Sequence, residues 1–199
     1  QSVYDRLGRA TETINPRGNS TTVEYDSVGR VASVTNAGSP AGVLTYGYDS
    51  ASRLTDVTDP LGSVTHTTFD AFSNPASVTY ADGTMNERTW QREFDLNGAV
   101  TRVQDPNGND LRYWYDTVGR LEAITNAAED PYVSYGYDTA GRTASIVNAN
   151  GTIAYDYNDL GQVESVTQNG QTIGYTYTDL GQRATMTLPG GRPVTYAYD

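Results

Sequence analysis

The chain has no cysteine, which excludes a disulfide framework, thiolate zinc sites and dithiol redox chemistry. It has one histidine, His66, and no local signature of a His-dependent triad around it. No apolar run is long enough to span a membrane as a helix. Apolar residues do not recur at three-and-four spacing over any long window, so no helix is expected. Basic residues are outnumbered 24 to 13, for a net charge of -11; phosphate recognition needs basic surface, so nucleic acid is excluded as a partner. Aliphatic residues are scarce. Tyrosine, with 16 copies, and glycine, with 20, are abundant instead.

The tyrosines are periodic. An aromatic followed by Asp, or by a worn substitute, recurs at Tyr4, Tyr25, Tyr48, Phe69, Phe94, Tyr115, Tyr137, Tyr157, Tyr177 and Tyr198, at intervals of 20 to 25 residues. Asp follows this anchor at Asp5, Asp26, Asp49, Asp70, Asp95, Asp116, Asp138 and Asp199, with Asn158 and Thr178 as exceptions. Gly stands four residues after the anchor at Gly8, Gly29, Gly98, Gly119, Gly141, Gly161 and Gly181; Ser52 and Ser73 replace it in two repeats. Arg comes next at Arg9, Arg30, Arg53, Arg120 and Arg142, and a second Tyr often precedes the anchor by two. Self-similarity at a fixed period is the mark of a repeat architecture.

Each repeat spells a hairpin. Tyr-x-Tyr puts two rings on one face only if the backbone is extended. The following Asp-x-x-Gly is turn chemistry, with the carboxylate accepting from amides two or three residues on and Gly supplying positive φ. After the turn, apolar residues are spaced by three, as in Leu121 and Ile124 or Val163 and Val166. That spacing does not fit one face of a regular strand, so either a bulge or a strand covered on both faces is expected. Asn-Gly, Asp-Pro and Pro-Gly clusters then return the chain to the next repeat. Two strands per repeat give roughly twenty strands, and a sheet that long curls into a spiral, tube or shell wall as strand twist accumulates. The fold class is therefore all-β, a continuous sheet of antiparallel hairpins about 21 residues apart. Residues 1–199 are expected to form a single array of about nine to ten repeats, an excerpt of a longer one.

Two loops depart from the period. The longer runs from Ala81 to Trp90 and is the candidate for a local contact site. Asp105 to Asp110 carries oxygen ligands at alternate positions, like the start of a calcium loop, but lacks the closing Glu and reads more simply as a turn. No catalytic, cofactor or metal site is expected, and the Asp and Arg of each turn are expected to form ion pairs between successive hairpins.

The segment Gly108 to Leu121, G-x-x-x-R-Y-x-Y-D-x-x-G-R-L, resembles the YD repeat of the Rhs family, and the phased copies extend the resemblance along the whole chain. That family includes bacterial polymorphic toxins, insecticidal toxin-complex subunits, wall-associated proteins and teneurins. The resemblance implies hairpins spiralling into a hollow shell, which in the toxins encloses a carboxy-terminal effector; the segment that closes the shell and releases the effector has no match here. The expected role is a non-enzymatic wall of an extracellular or cell-surface tube, filament or shell. Its expected partners are further copies of the array end to end, or an enclosed toxin. A different reading is a glycan-binding or adhesive surface, with sugars stacking on the aligned tyrosines.

Overall fold

Alternating aromatics and paired turn signals give strands and nothing else. The computed structural model describes residues 1–38, 42–81 and 87–199 and contains, among these, nineteen strands and no helix. Contacts divide the chain into two compact units, Gln1–Asn109 and Asp110–Asp199. The first holds β1 (Ser2–Tyr4), β2 (Ala10–Ile14), β3 (Ser20–Tyr25), β4 (Val31–Asn36), β5 (Gly42–Tyr48), β6 (Leu54–Thr58), β7 (Val64–Phe69), β8 (Pro75–Ala81), β9 (Arg88–Phe94) and β10 (Val100–Gln104). Each pairs antiparallel with the next. The second holds β11 (Asp110–Tyr115), β12 (Leu121–Asn126), β13 (Pro131–Tyr137), β14 (Thr143–Asn148), β15 (Gly151–Tyr157), β16 (Val163–Gln168), β17 (Gln171–Tyr177), β18 (Arg183–Leu188) and β19 (Arg192–Thr195), again a plain meander. Within each unit the meander puts every anchor turn on one edge of the sheet and every return turn on the other.

The spacing of three after each turn is resolved by a bulge. Tyr115 faces Leu121, but Trp114 faces Ala123 and Tyr113 faces Ile124, so Glu122 is the extra residue. One inserted residue shifts the alternation and brings Leu121 and Ile124 onto the face of Tyr115 and Tyr113. The same slip follows Tyr25, Tyr48, Tyr137, Tyr157 and Tyr177. One face of the second unit thereby carries rows such as Tyr135, Ile146 and Ile153, or Tyr155, Val166 and Ile173. The opposite face is polar, with hydroxyl pairs across strands at Thr167 and Thr172 (2.8 Å) and at Thr176 and Thr185 (2.7 Å).

Among the described residues no apolar side chain is fully buried, and the two most enclosed residues are Ser33 and Thr125, at 7% and 6% exposure. Most tyrosines are half-buried rather than core residues, while Tyr4, Tyr80, Tyr132 and Tyr198 are exposed. Rings such as those of Tyr25, Tyr48, Tyr137 and Tyr157 are covered by arginine side chains of the neighbouring hairpin.

The return turns use the same chemistry as the anchor turns. Asn15 and Asp59 each accept two backbone amides through the side chain, whereas Asn169 and Gly170 both take positive φ, 51° and 75°, in a two-residue turn of the type strand twist favours. Residues 82–86, the centre of the loop from Ala81 to Trp90, lie outside the described residues; Arg88 to Trp90 belong to β9.

Candidate functional site

The recurring feature of the molecule is the anchor turn. At Asp116 the chain reverses through Gly119, whose amide donates to the Asp116 carbonyl (3.0 Å), while the Asp116 amide donates to the Arg120 carbonyl (2.9 Å). Gly119 has φ +84°, which a side chain tolerates poorly. The Asp116 carboxylate caps the loop: Oδ1 accepts from the amides of Val118 (3.0 Å) and Arg120 (2.9 Å), and Oδ2 accepts from Arg120 Nε (2.7 Å). The carboxylate therefore reaches two and four residues on, not two and three; the third amide is taken by the backbone turn itself. Asp5, Asp26, Asp49 and Asp138 repeat the arrangement with Arg9, Arg30, Arg53 and Arg142. The backbone amide of the fifth residue holds the carboxyls of Asp5, Asp49 and Asp116 below the usual range, with the guanidinium adding to the effect.

The expected ion-pair ladder between hairpins is corrected by this geometry. Each Asp–Arg pair closes within its own turn, four residues apart at 2.7 Å, because the fifth position lies directly across the loop from the first. The link between hairpins is a different one. Within the first unit the Arg9 guanidinium stacks over the Tyr25 ring at 4.1 Å, Arg30 over Tyr48 at 4.4 Å and Arg53 over Phe69 at 4.6 Å. Within the second, Arg120 stacks over Tyr137 at 4.3 Å and Arg142 over Tyr157 at 4.4 Å. All 13 basic residues are arginine, and only a planar guanidinium grips a carboxylate and covers a ring at once.

The ring is held from its far end too. The hydroxyl of Tyr25 donates to the Ala10 carbonyl (2.9 Å), Tyr48 to Val31 (2.9 Å), Tyr137 to Leu121 (2.7 Å), Tyr157 to Thr143 (2.8 Å), Tyr177 to Val163 (2.8 Å) and Tyr198 to Arg183 (2.8 Å). Each acceptor is the residue after the preceding anchor turn. A tyrosine so held is a rivet between hairpins.

Departures from the motif keep this logic. Ser52 and Ser73 adopt φ 64° and 70° where Gly would stand, and their hydroxyls accept from Nη1 of Arg30 and Arg53, both at 3.0 Å. Elsewhere the Arg lies against the next Gly: a Cβ on Gly29 would sit 3.2 Å from Arg9 Nη1. In the repeat at Phe69, Asn74 Nδ2 takes the place of the guanidinium on Asp70 (3.0 Å). Phe94 and Asp95 retain the turn with Ala99 in fifth place.

His66 Nδ1 lies 2.6 Å from Asp56 Oδ1, and both side chains are exposed, at 47% and 41%, which makes the histidine a surface residue. In the calcium-like stretch, Asp105 accepts from the amides of Asn107 and Asn109 and from Asn109 Nδ2, so both its oxygens serve a return turn. Among the described residues no group of three or more His, Cys, Asp or Glu is placed to hold a metal.

Two features were not found by sequence reasoning. The tip of nearly every anchor turn carries a large apolar side chain in the open: Leu7, Val28, Phe72 and Leu96 in the first unit, 68% to 84% exposed, and Val118, Leu160 and Leu180 in the second, 73% to 86% exposed. Their signal was present as the apolar residue between Asp and the residue of positive φ in each of these turns, directly before Gly in Leu7, Val28, Val118, Leu160 and Leu180. The other is Trp114, the largest side chain of the polar face of β11 and 45% exposed.

The family model described as RHS Repeat matches residues 4–42 and 48–85, and that described as Teneurin YD-shell matches residues 108–199. Comparison with curated proteins finds no match. Among solved structures, the chain is similar to a crystal structure of TcdB2-TccC3-TEV, with 18% identity and TM-score 0.74 over 100% of this chain and 12% of that one. It is likewise similar to TcdB2-TccC3 without the hypervariable C-terminal region, with 17% identity, TM-score 0.74 and the same coverage. A Photorhabdus luminescens Tc holotoxin pore gives 18% identity and TM-score 0.70 over 99% of this chain and 11% of that one. The chain thus spans about an eighth of the length of the solved chains it matches, and at such identity the likeness is one of fold. With the turn motif, the hairpin meander and both family models in agreement, the chain belongs to the Rhs/YD-repeat family.

Proposed function

We propose that this chain is a stretch of the wall of a hollow protein shell, non-catalytic and deployed outside the cell or at its surface. The observation that carries the reading is the neighbour link: Arg of one anchor turn stacked on the aromatic of the next, with that tyrosine bonded back to the hairpin before it. Such a device links each hairpin to the next and holds their register, which is what a wall requires. The exposed apolar turn tips support the same reading, because a row of side chains left bare at one sheet edge marks a surface that another element covers. In a wall that element is the next coil of the same array, and the single array of nine to ten repeats is then an excerpt of a longer one.

Two uses of such a wall remain distinct. A closed shell around a toxin cargo is favoured by the fold likeness to TcdB2-TccC3 structures; an open tube or filament needs only repeated copies end to end. Electron microscopy of the protein expressed from its complete reading frame separates them. Discrete hollow particles are the expected result, long fibres of constant width would select the tube, and solid compact particles would overturn the wall reading.

A further inference from the structure

Four Asn-Gly pairs punctuate the chain: Asn97-Gly98, Asn107-Gly108, Asn150-Gly151 and Asn169-Gly170. A glycine nitrogen that follows asparagine can reach the side-chain carbonyl carbon with no Cβ in the way, so each pair is chemically a place where the chain can be modified without an enzyme. All four asparagines are exposed, and exposure therefore does not choose between them. The hydrogen bonding of the glycine amide does.

The Gly98 amide donates to the Asp95 carbonyl (3.1 Å) and the Gly108 amide to the Asp105 carbonyl (3.0 Å), so both are held in the closing bond of a turn. Gly151 sits opposite Asn148 on the last rung of a two-residue hairpin, where the amide of the fourth turn residue returns to the carbonyl of the first. At the remaining pair the last rung is Gln168 with Gln171, which leaves Asn169 and Gly170 as the two central residues of the turn. The Gly170 amide lies outside the ladder and makes no hydrogen bond among the described residues. The Asn169 side chain reaches the neighbouring hairpin instead. Its Nδ2 donates to the Asn150 carbonyl at 3.3 Å, and its Oδ1 lies where a Cβ on Gly151 would collide with it. A bond of that length is weak, and it joins two return turns as the arginines join anchor turns at the other edge.

We propose that Asn169 is a site of spontaneous deamidation, the pair among the four that reacts fastest in the folded chain. The Gly170 nitrogen, deprotonated by hydroxide, bonds to Asn169 Cγ; the bond from Cγ to Nδ2 breaks, and ammonia leaves with a proton taken from water. Water then opens the resulting five-membered imide at either carbonyl, giving aspartate or isoaspartate, and no electrons are gained or lost. Either product replaces the Nδ2 donor with a carboxylate oxygen, adds one negative charge to a net of -11, and sets that oxygen against the Asn150 carbonyl. The contact between the two return turns is thereby cut, and isoaspartate also lengthens the main chain of the turn by one carbon. This modification goes beyond the wall reading and does not depend on it.

The test is to age the unaltered chain in mildly alkaline buffer, folded in one sample and unfolded in guanidinium chloride in another. Peptide mapping by mass spectrometry follows the gain of one mass unit at each of the four pairs. Methyl transfer from S-adenosylmethionine by an isoaspartyl methyltransferase marks the isoaspartate formed. In the folded chain Asn169 is expected to convert about threefold or more faster than Asn97, Asn107 or Asn150, whose glycine amides must first leave a hydrogen bond. In the unfolded chain the four rates are expected to converge. No conversion at Asn169 in the folded chain, a rate there equal to or below that of any other pair, or the same lead for Asn169 after unfolding would overturn the proposal.

Discussion

Two pairs of anchor turns in the second unit share a backbone and differ in the side chains that dress it. Those at Asp116 and Asp138 carry Asp and Arg at the first and fifth positions; those at Asn158 and Thr178 carry Asn or Thr with Gln. The main-chain hydrogen bonds are the same in all four, at 2.7 to 3.0 Å, and Gly119, Gly141, Gly161 and Gly181 all have φ near +80°. What changes is the dressing. Asp138 accepts two amides and a guanidinium, Asn158 accepts two amides and donates to Gln162 (2.8 Å), and Thr178 accepts one amide at 3.2 Å. Beyond the turn, Arg142 covers the Tyr157 ring, while Gln162 reaches only the Gly181 carbonyl at 3.4 Å. The hairpin is therefore specified by glycine and backbone, and the charged pair serves the contact with the neighbour.

The largest effect is expected from breaking what all four turns share. Gly119→Val forces a β-branched side chain to positive φ, a conformation that costs L-residues roughly 1–2 kcal/mol before branching is counted. Chemical denaturation should show a loss of at least that size, the same at Gly181 as at Gly119. Next comes the cap: Asp138→Ala should lower the thermal midpoint by several degrees and Thr178→Ala by little, since the first removes three hydrogen bonds and the second one weak bond. Unequal loss at the glycines, or equal loss at the caps, would undo the distinction.

Acid titration sharpens the comparison without mutation. Because the backbone amide of Arg120, aided by its guanidinium, holds the Asp116 carboxyl below its ordinary value, the folded state binds its proton less readily than the unfolded chain. That contribution to stability is complete above the unfolded carboxylate pKa of about 4 and disappears as pH falls through the lower folded value. Amide NMR signals of Val118 and Arg120 should shift in that acid window, while those of Leu160 and Gln162, capped by Asn158, should not shift through their own cap.

Smaller effects are expected from the links between hairpins. Tyr137→Phe removes the bond to the Leu121 carbonyl and should cost about 1 kcal/mol. Conversely, the double change Asn158→Asp with Gln162→Arg should convert a worn turn into a complete one, place a guanidinium over Tyr177 and add about 0.5–1 kcal/mol, measurable as a raised denaturation midpoint.

The fold was legible because its signals are local. Tyr-x-Tyr fixes extended backbone, Asp-x-x-Gly fixes the reversal, and repetition makes each weak signal strong; the spacing of Leu121 and Ile124 left a bulge and a doubly covered strand as alternatives, and the structure contains the bulge. The site was legible only in part. Asp116 and Arg120 were evident as a pair, but their partners were not, because a side chain's reach across a turn or to the next strand depends on register and rotamer. Hence the ladder expected between hairpins became a bond within each turn, and the contact to Tyr137 went unforeseen. Trp114 read as one more aromatic of the motif. Its position on the other face follows from strand alternation, but its exposure depends on the small residues of strands β12 to β14 around it.

The central claim, that Arg of one turn and the aromatic of the next act as a unit joining adjacent hairpins, is tested most directly by a double-mutant cycle on Arg142 and Tyr157. With Arg142→Gln and Tyr157→Leu, the account predicts a coupling of about 0.5–1 kcal/mol, reproduced at Arg120 and Tyr137 and absent for Gln162→Ala with Tyr177→Leu. Additive losses at both arginine pairs would contradict it.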